Sequence, residues 1–259
     1  MRKTSDPTAT AADPDAHLAV KVTEVRKSFV LRHTHTLKET VIAALKRKTL
    51  TSRFDALKGV TFDIPQGESV ALIGFNGSGK STLLKMLSGV YRPDAGEVRV
   101  RGRVAGLIEV GGGFHPDLTG RENVYLNAAI LGMTKAETQE RYDSIVEFAE
   151  IPDFMDTEVK HYSSGMFIRL AFAVAIHVEC DILLVDEVLA VGDEPFQKKC
   201  FDKLQELRQQ GKTIIIVSHF LDLLSKLCDR GIVIDQHQIA FDGPIDEAIS
   251  TLRSLAPAS

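Results

Sequence analysis

Apolar and polar positions change rhythm several times along this chain. Residues 19–29 alternate, with Val20, Val22 and Val25 set among polar neighbours, which predicts a strand. Residues 57–64 and Ser69–Ile73 predict two more strands around the turn Pro65-Gln66-Gly67. The second of these runs straight into a glycine-rich loop and then a helix, Lys80–Leu87. Residues 97–100 and 104–109 read as further strands. From about Thr119 to Cys180 the period becomes helical, most clearly over 127–131, 135–151 and 163–178. Residues 182–185 form a short, wholly apolar run, as a strand buried in a parallel sheet requires. Phe196, Cys200, Leu204 and Leu207 then mark one face of a helix. Thr213–Val217 is a second buried strand, and 231–234 with 238–241 close the series as a pair. The order predicts an α/β core with a helical block inserted at about 119–180.

One stretch breaks this order. Residues 30–52 are rich in Lys, Arg, Thr and His, and Leu37, Val41, Ile42, Ala44 and Leu45 recur at helical spacing, with Lys38, Glu39, Lys46 and Arg47 opposite. A short, mainly basic amphipathic helix is expected there, packed on its own domain or offered to a membrane-embedded partner. Residues 1–17 are rich in Thr, Ala, Asp and Pro without the apolar centre of a signal peptide, and read as a disordered tail.

Composition narrows the classes. The 259 residues are 44% hydrophobic and 25% charged with a net charge of −4, ordinary for a folded domain and without an overall attraction to nucleic acid. No apolar run approaches the roughly 18 residues that span a bilayer, so a membrane role is expected to be peripheral. Cys180, Cys200 and Cys228 are isolated and odd in number, which suits small buried hydrophobes in a reducing cytoplasm rather than disulfides or a metal site. The lone pair His33 and His35 suggests no ligand set.

Candidate chemistry begins at Gly74-Phe75-Asn76-Gly77-Ser78-Gly79-Lys80-Ser81, which matches G-x-x-x-x-G-K-[ST] in full, after an apolar strand and opening a helix. Glycines let the backbone curl so that several N–H groups converge on a phosphate at a helix N-terminus. Lys80 brings a positive charge to the β- and γ-phosphate oxygens, and Ser81 offers a hydroxyl to Mg²⁺. Asp186 and Glu187 end the apolar strand at 182–185, on the side where parallel sheets carry their ligand crevice. Asp186 suits Mg²⁺, and Glu187 suits polarisation of an attacking water. His219, after the strand Thr213–Val217 and Ser218, is placed to donate to a γ-phosphate.

The order of the glycine loop, Tyr162-Ser163-Ser164-Gly165-Met166, Asp186-Glu187, Ala190-Val191-Gly192-Asp193 and His219 resembles the ATP-binding subunits of ABC transporters from about Leu18 to Leu255. Tyr162 to Met166 with Arg169 to Ala175, the run Glu187 to Asp193 and the run Gly113 to Asn123 are similar to the branch that exports O-antigen, capsule, teichoic acid and cell-wall galactan. The resemblance implies a P-loop NTPase core of ABC type with an antiparallel β-subdomain and an inserted α-helical subdomain. It implies ATP and Mg²⁺ as cofactors, a homodimer, an integral-membrane permease as partner, a polysaccharide cargo carried by that permease, and residence on the cytoplasmic face of the membrane. A small-solute importer is the alternative.

Carried over by position, Gly74, Asn76, Gly77, Ser78, Gly79, Lys80, Ser81 and Thr82 contact the phosphates. Ser163 and Gly165 contact nucleotide held by the opposite subunit, Asp193 links the two sites, and Phe29 stacks on adenine. Lys80, Glu187 and His219 are the catalytic set, and Ser81, Asp186 and Glu109 the metal set. Three positions depart from the family pattern, and one of them is Met166, which stands where the common signature ends in glutamine. Ser164 puts a Cβ where the common signature has glycine, and Glu109 puts a carboxylate where a glutamine is usual. Only residues 256–259 follow the resemblance, so recognition of the glycan is expected to fall to the membrane subunit or a lipid carrier.

Overall fold

Strand β1 (Leu18–Arg32) pairs antiparallel with β2 (Thr51–Pro65) from Leu18↔Pro65 to Arg32↔Thr51. The structure is a computed structural model that describes residues 15–32, 51–107, 111–186 and 192–256. The basic helix expected near 37–48, most of the N-terminal tail, and Glu109 and Glu187 lie outside the described residues.

Both strands run further than alternation suggests. Residues 51–55 carry the polar run Thr51-Ser52-Arg53, and Ser52, Arg53, Phe54 and Asp55 are all exposed, so no buried face imposes a period of two. Their strand conformation comes from backbone pairing with β1, helped by Arg53, which donates to Ser28 Oγ (2.7 Å), and by Phe54, which meets His237 edge-on. A bulge at Glu24, whose φ is 49°, shifts the register of β1.

Strand β3 (Ser69–Ile73) is buried at every residue and leads through the glycine loop into α1 (Lys80–Leu87). Strand β4 (Ala95–Val100) then returns to β1, pairing only as far as Arg26↔Ala95, which completes the three-stranded sheet β2-β1-β4. Strand β5 (Val104–Leu107) starts the second sheet.

The helical block follows. Helix α2 (Gly120–Ile130) starts well before the expected 127, because Thr119 and Glu122 form a reciprocal capping box. Helix α3 (Lys135–Ala149) has the same device at Thr134 and Glu137, and ends where Glu150 turns left-handed (φ 60°) ahead of Pro152. Helix α4 (Ser164–Ile176) is capped by Ser163.

The chain re-enters the core through β6 (Ile182–Asp186), α5 (Glu194–Gln209) and β7 (Thr213–Val217). It finishes with α6 (Leu221–Leu227), β8 (Arg230–Asp235), β9 (Gln238–Pro244) and α7 (Ile245–Ser254). Neither α6 nor α7 is foreseen by the sequence reading. Helix α6 is short, and α7 buries only Ile245, Ala248 and Ile249.

The six-stranded sheet has the order β5-β6-β7-β3-β8-β9, parallel except for β9. Alternate residues of its strands feed two cores. Ala71, Ile73, Leu183, Val185, Ile214 and Ile216 pack with Phe148, Phe172 and Phe196 on one face. Val70, Leu72, Ile182, Leu184, Ile215 and Val217 pack with Val20, Val25 and Leu57 on the other, which seats the small sheet on the large one. Cys180, Cys200 and Cys228 are buried free thiols, and burial pushes Cys180 up to about 11 and the other two up to about 12. They behave as small hydrophobes.

Candidate nucleotide site

The parallel order brings three strand ends together. Leu72 of β3 lies beside Val217 of β7, which lies beside Asp186 of β6. The glycine loop, His219 and Asp186 therefore leave neighbouring strands on the same edge of the sheet, although they lie far apart in sequence.

The loop needs its glycines for two different reasons. A Cβ on Gly79 (φ 114°) would strike the carbonyl oxygen of Ala56 and stand 2.8 Å from Leu57 Cδ2. One on Gly74 would strike the carbonyl oxygen of Ile234 and stand 2.8 Å from Ser78 Oγ. These two positions let β2 and β8 close against the loop. Gly77 (φ 81°) has nothing within 4 Å of its would-be Cβ, so there the requirement is backbone conformation and open space.

Helix α1 begins with no side-chain cap and no acidic residue in its first turn, an arrangement that suits an anion at its N-terminus. Lys80 is buried, and its Nζ donates to the carbonyls of Gly74 (2.8 Å) and Phe75 (3.0 Å), which anchors the ammonium at the mouth of the loop. Ser78 Oγ is buried without a hydrogen-bond partner among the described residues. An orphaned buried hydroxyl costs about 1–3 kcal/mol, and a phosphate oxygen would satisfy it. Glycine cradle, ammonium and orphaned hydroxyl together fit a polyphosphate. Asn76 is exposed, Ser81 is exposed at the start of α1, and Thr82 is half-buried beside it.

Asp186 is half-buried at the strand end. His219 is exposed one residue beyond Ser218, whose Oγ accepts from the backbone N–H of Phe220 (3.1 Å) and so turns the chain there. Phe29 is half-buried on β1, opposite Phe54 in the register, while Ala56 of the same β2 segment abuts Gly79. The aromatic ring thus belongs to the strand pair that backs onto the phosphate loop.

A second cluster forms at the start of α4. Ser163 Oγ accepts from the backbone N–H of Met166 (3.2 Å), so part of its capacity is spent as an N-cap. Ser164 is exposed at the first helical position with no unusual φ, which accommodates its Cβ without strain. Gly165 meets only Ser163 Oγ at 3.9 Å, so nothing within the chain demands a glycine there.

Asp193 caps α5, accepting from the N–H of Phe196 at 3.3 Å, and accepts from Arg169 of α4 through both oxygens at 2.7 and 2.9 Å. Partial burial alone would raise its carboxyl, but the Arg169 hydrogen bonds hold it below the ordinary value. Arg169 also donates to Glu150 (2.9 Å) and lies over the Phe196 ring, at 5.1 Å from the centroid. No role for Arg169 follows from the sequence alone. Its place one turn and a half after Ser163 is legible, but the partners across α3 and α5 are not.

Known proteins bear on this geometry. The profile of the ABC transporter family matches residues 57–190. The O-antigen export system ATP-binding protein of Myxococcus xanthus is 44% identical over 255 residues, covering 95% of this chain and 58% of that protein. Its counterpart from Klebsiella pneumoniae is 48% identical, covering 76% of this chain and 80% of that one. The teichoic acids export ATP-binding protein of Listeria monocytogenes is 46% identical, covering 75% and 58% respectively. The chain thus spans a little over half the length of two of these three relatives. Among solved structures, a dimeric ATP-binding cassette in a post-hydrolysis state bound to ADP and Pi superposes with a TM-score of 0.69 at 23% identity, covering 87% of this chain and 98% of that one. With the glycine loop and the paired strand ends in the places that fold requires, the chain belongs to the ABC transporter family.

Proposed function

We propose that this chain is the ATP-hydrolysing subunit of an exporter that moves a polysaccharide, carried on a lipid, across the cytoplasmic membrane, and that it works as a homodimer. The observation that carries the ATPase reading is the glycine loop: an uncapped helix start, a buried ammonium and an orphaned serine hydroxyl meet at one sheet edge. The export reading is supported by relatives of 44–48% identity whose names assign them to O-antigen and teichoic acid export.

Each residue then has a task. The amides of Gly77 to Ser81 and the Lys80 ammonium bind the β- and γ-phosphates. Ser81 and Asp186, with Glu109, hold Mg²⁺, which supplies positive charge against the phosphate oxygens. Glu187 orients and deprotonates water, and His219 donates to the γ-phosphate. Phe29 carries the adenine. Ser163 and Gly165 of one copy complete the site of the other, which accounts for a glycine at 165 that its own chain does not require. Asp193, fastened to the same helix by Arg169, moves with them.

No helix of the described residues is long and apolar enough to cross a membrane. The export-system names of the relatives support an integral-membrane permease as the partner that receives the force. A groove of about 350 Å³ lined by Lys85, Val90, Val104, Gly106, Ile130 and Leu131 lies between α1 and α2, beside the strand that leads to Glu109. Val90 and Ile130 are 66% and 60% exposed there, an apolar patch suited to a short helix of that permease.

The decisive experiment is Glu187→Gln in the full chain. Light scattering is expected to find a dimer in ATP and a monomer in ADP. ATP turnover by the wild type whose specific rate is independent of protein concentration would overturn the shared-site reading.

A further inference from the structure

Beyond Arg26 the ladder between β1 and β4 stops, yet β1 continues to the aromatic residue at 29. There β2 still pairs with one edge of β1, and the edge that β4 leaves open is held by the loop that leaves α1. Asp94 N donates to the Arg26 carbonyl (2.9 Å), and its carboxylate then takes the place of a missing strand: Oδ2 accepts from the backbone N–H of Ser28 (2.8 Å) and Oδ1 from Lys27 Nζ (2.8 Å). Lys27 Nζ also donates to the carbonyl of Arg92 (2.9 Å).

Tyr91 meets the Phe29 ring edge-on, with centroids 5.6 Å apart and planes at 64°. Its own N–H is fixed to the Lys85 carbonyl of α1 (2.9 Å). Lys27 Nζ stands 5.7 Å from the Phe29 centroid, so cation and tyrosine brace that ring from this side. Through the Tyr91 N–H this loop is tied to the helix whose N-terminus forms the phosphate cradle. The length of α1 and its following loop therefore sets the distance from cradle to ring.

We infer that Asp94 and Tyr91 are positioning residues that hold Phe29 as a platform for the nucleotide base at a fixed distance from the phosphate loop. This rests on the reading of Phe29 as the stacking residue. The Ser28–Lys27–Asp94 connections make the loop between α1 and β4 part of base recognition, while the phosphate cradle, anchored by β2 and β8, does not depend on them. The hydrogen bonds from Lys27 and Ser28 hold the Asp94 carboxyl below its ordinary value, so the charge that grips the strand is retained.

The chain contains no tryptophan, so Phe29→Trp in the full-length protein introduces a single fluorescent reporter at the platform. ATP is expected to quench that fluorescence, and inorganic tripolyphosphate, which has phosphates but no base, is not. In this background Asp94→Ala and Tyr91→Leu should each weaken ATP binding about tenfold while calorimetry finds tripolyphosphate affinity within about twofold. Tyr91→Phe, which keeps the edge-on ring, should restore ATP affinity.

If calorimetry detects ATP binding without any quenching, Phe29 is not the platform, and both the stacking reading and this inference fall. If quenching is normal but Asp94→Ala and Tyr91→Leu leave ATP affinity unchanged, the inference alone fails. Equal weakening of ATP and tripolyphosphate would also overturn it, since the loop would then be supporting the whole cradle. Asp94→Asn keeps an acceptor for Ser28 and serves as the second variant should Asp94→Ala melt more than a few degrees early.

Discussion

Two helix N-termini with signature glycines stand in this molecule, and they are built in opposite ways. At α1 the glycines at 74 and 79 are hemmed in by the backbones of β8 and β2, and the lysine that follows is buried and bonded to the loop. At α4 the glycine at 165 faces open space, and the capping serine is exposed. The first is a finished receptor. The second has the chemistry of one but lacks a floor, which in the homodimer proposed above belongs to the second copy. A residue type demanded by packing and one demanded by an absent surface can thus be told apart by what an added methyl group would touch.

That contrast can be broken most sharply at Gly79. Gly79→Ala places a Cβ against the Ala56 carbonyl at a φ of 114°, and the strain should cost about 2 kcal/mol or more of stability and at least a hundredfold in ATP affinity. Calorimetric titration with ATP and a melting curve measure both effects. Gly165→Leu is expected to do the reverse. Melting should stay within about 2 °C of wild type and ATP binding should persist, while steady-state ATPase falls about a hundredfold from the loss of donors to the opposite site. A comparable loss of stability at both glycines would erase the distinction.

A smaller effect is expected where the two regions meet. Arg169→Lys keeps the charge but not the planar guanidinium that bonds Asp193 through Nη2 and Glu150 through Nη1 at once, and kcat should drop about tenfold with little change in KM. An unchanged kcat would show that the strap between α4 and α5 carries nothing to the reaction.

The mildest test lies away from both sites, at Glu137. Its carboxyl is pulled from 4.5 to about 2 by hydrogen bonds from Arg103 and the Thr134 backbone. Its folded value lies below its unfolded one, so the stability it contributes is complete above about pH 4.5 and fades as pH falls toward 2. Glu137→Gln should flatten the melting temperature across that interval, and a parallel shift of wild type and variant at every pH would contradict the assignment.

How much of this is legible in the sequence depends on how local the cause is. The glycine loop, the apolar strands at 69–73 and 213–217, and the caps at Thr119 and Ser163 are written within eight residues or fewer, and patterns of that span can be read directly. Thr-x-x-Glu was present, yet apolar periodicity alone placed the start of α2 seven residues late. The extension of β1 and β2 over exposed residues has no pattern to find, because pairing rather than burial holds them. Arg169 and Asp94 were beyond reach for a different reason. Their partners lie 24 and 66 residues away, and nothing in a single chain announces which carboxylate a guanidinium or ammonium will meet.

One consequence of the sheet order concerns synthesis. Strand β3, which launches the glycine loop, is flanked by β7 and β8, and neither exists until residues 213 to 235 have left the ribosome. Until then the nucleotide cradle hangs on a strand whose two sheet neighbours are missing, and the helical block must emerge and wait beside it. Nascent chains truncated before β7 should be unable to hold ATP however complete their glycine loop, so the capacity to hydrolyse arrives only once β7 and β8 have emerged.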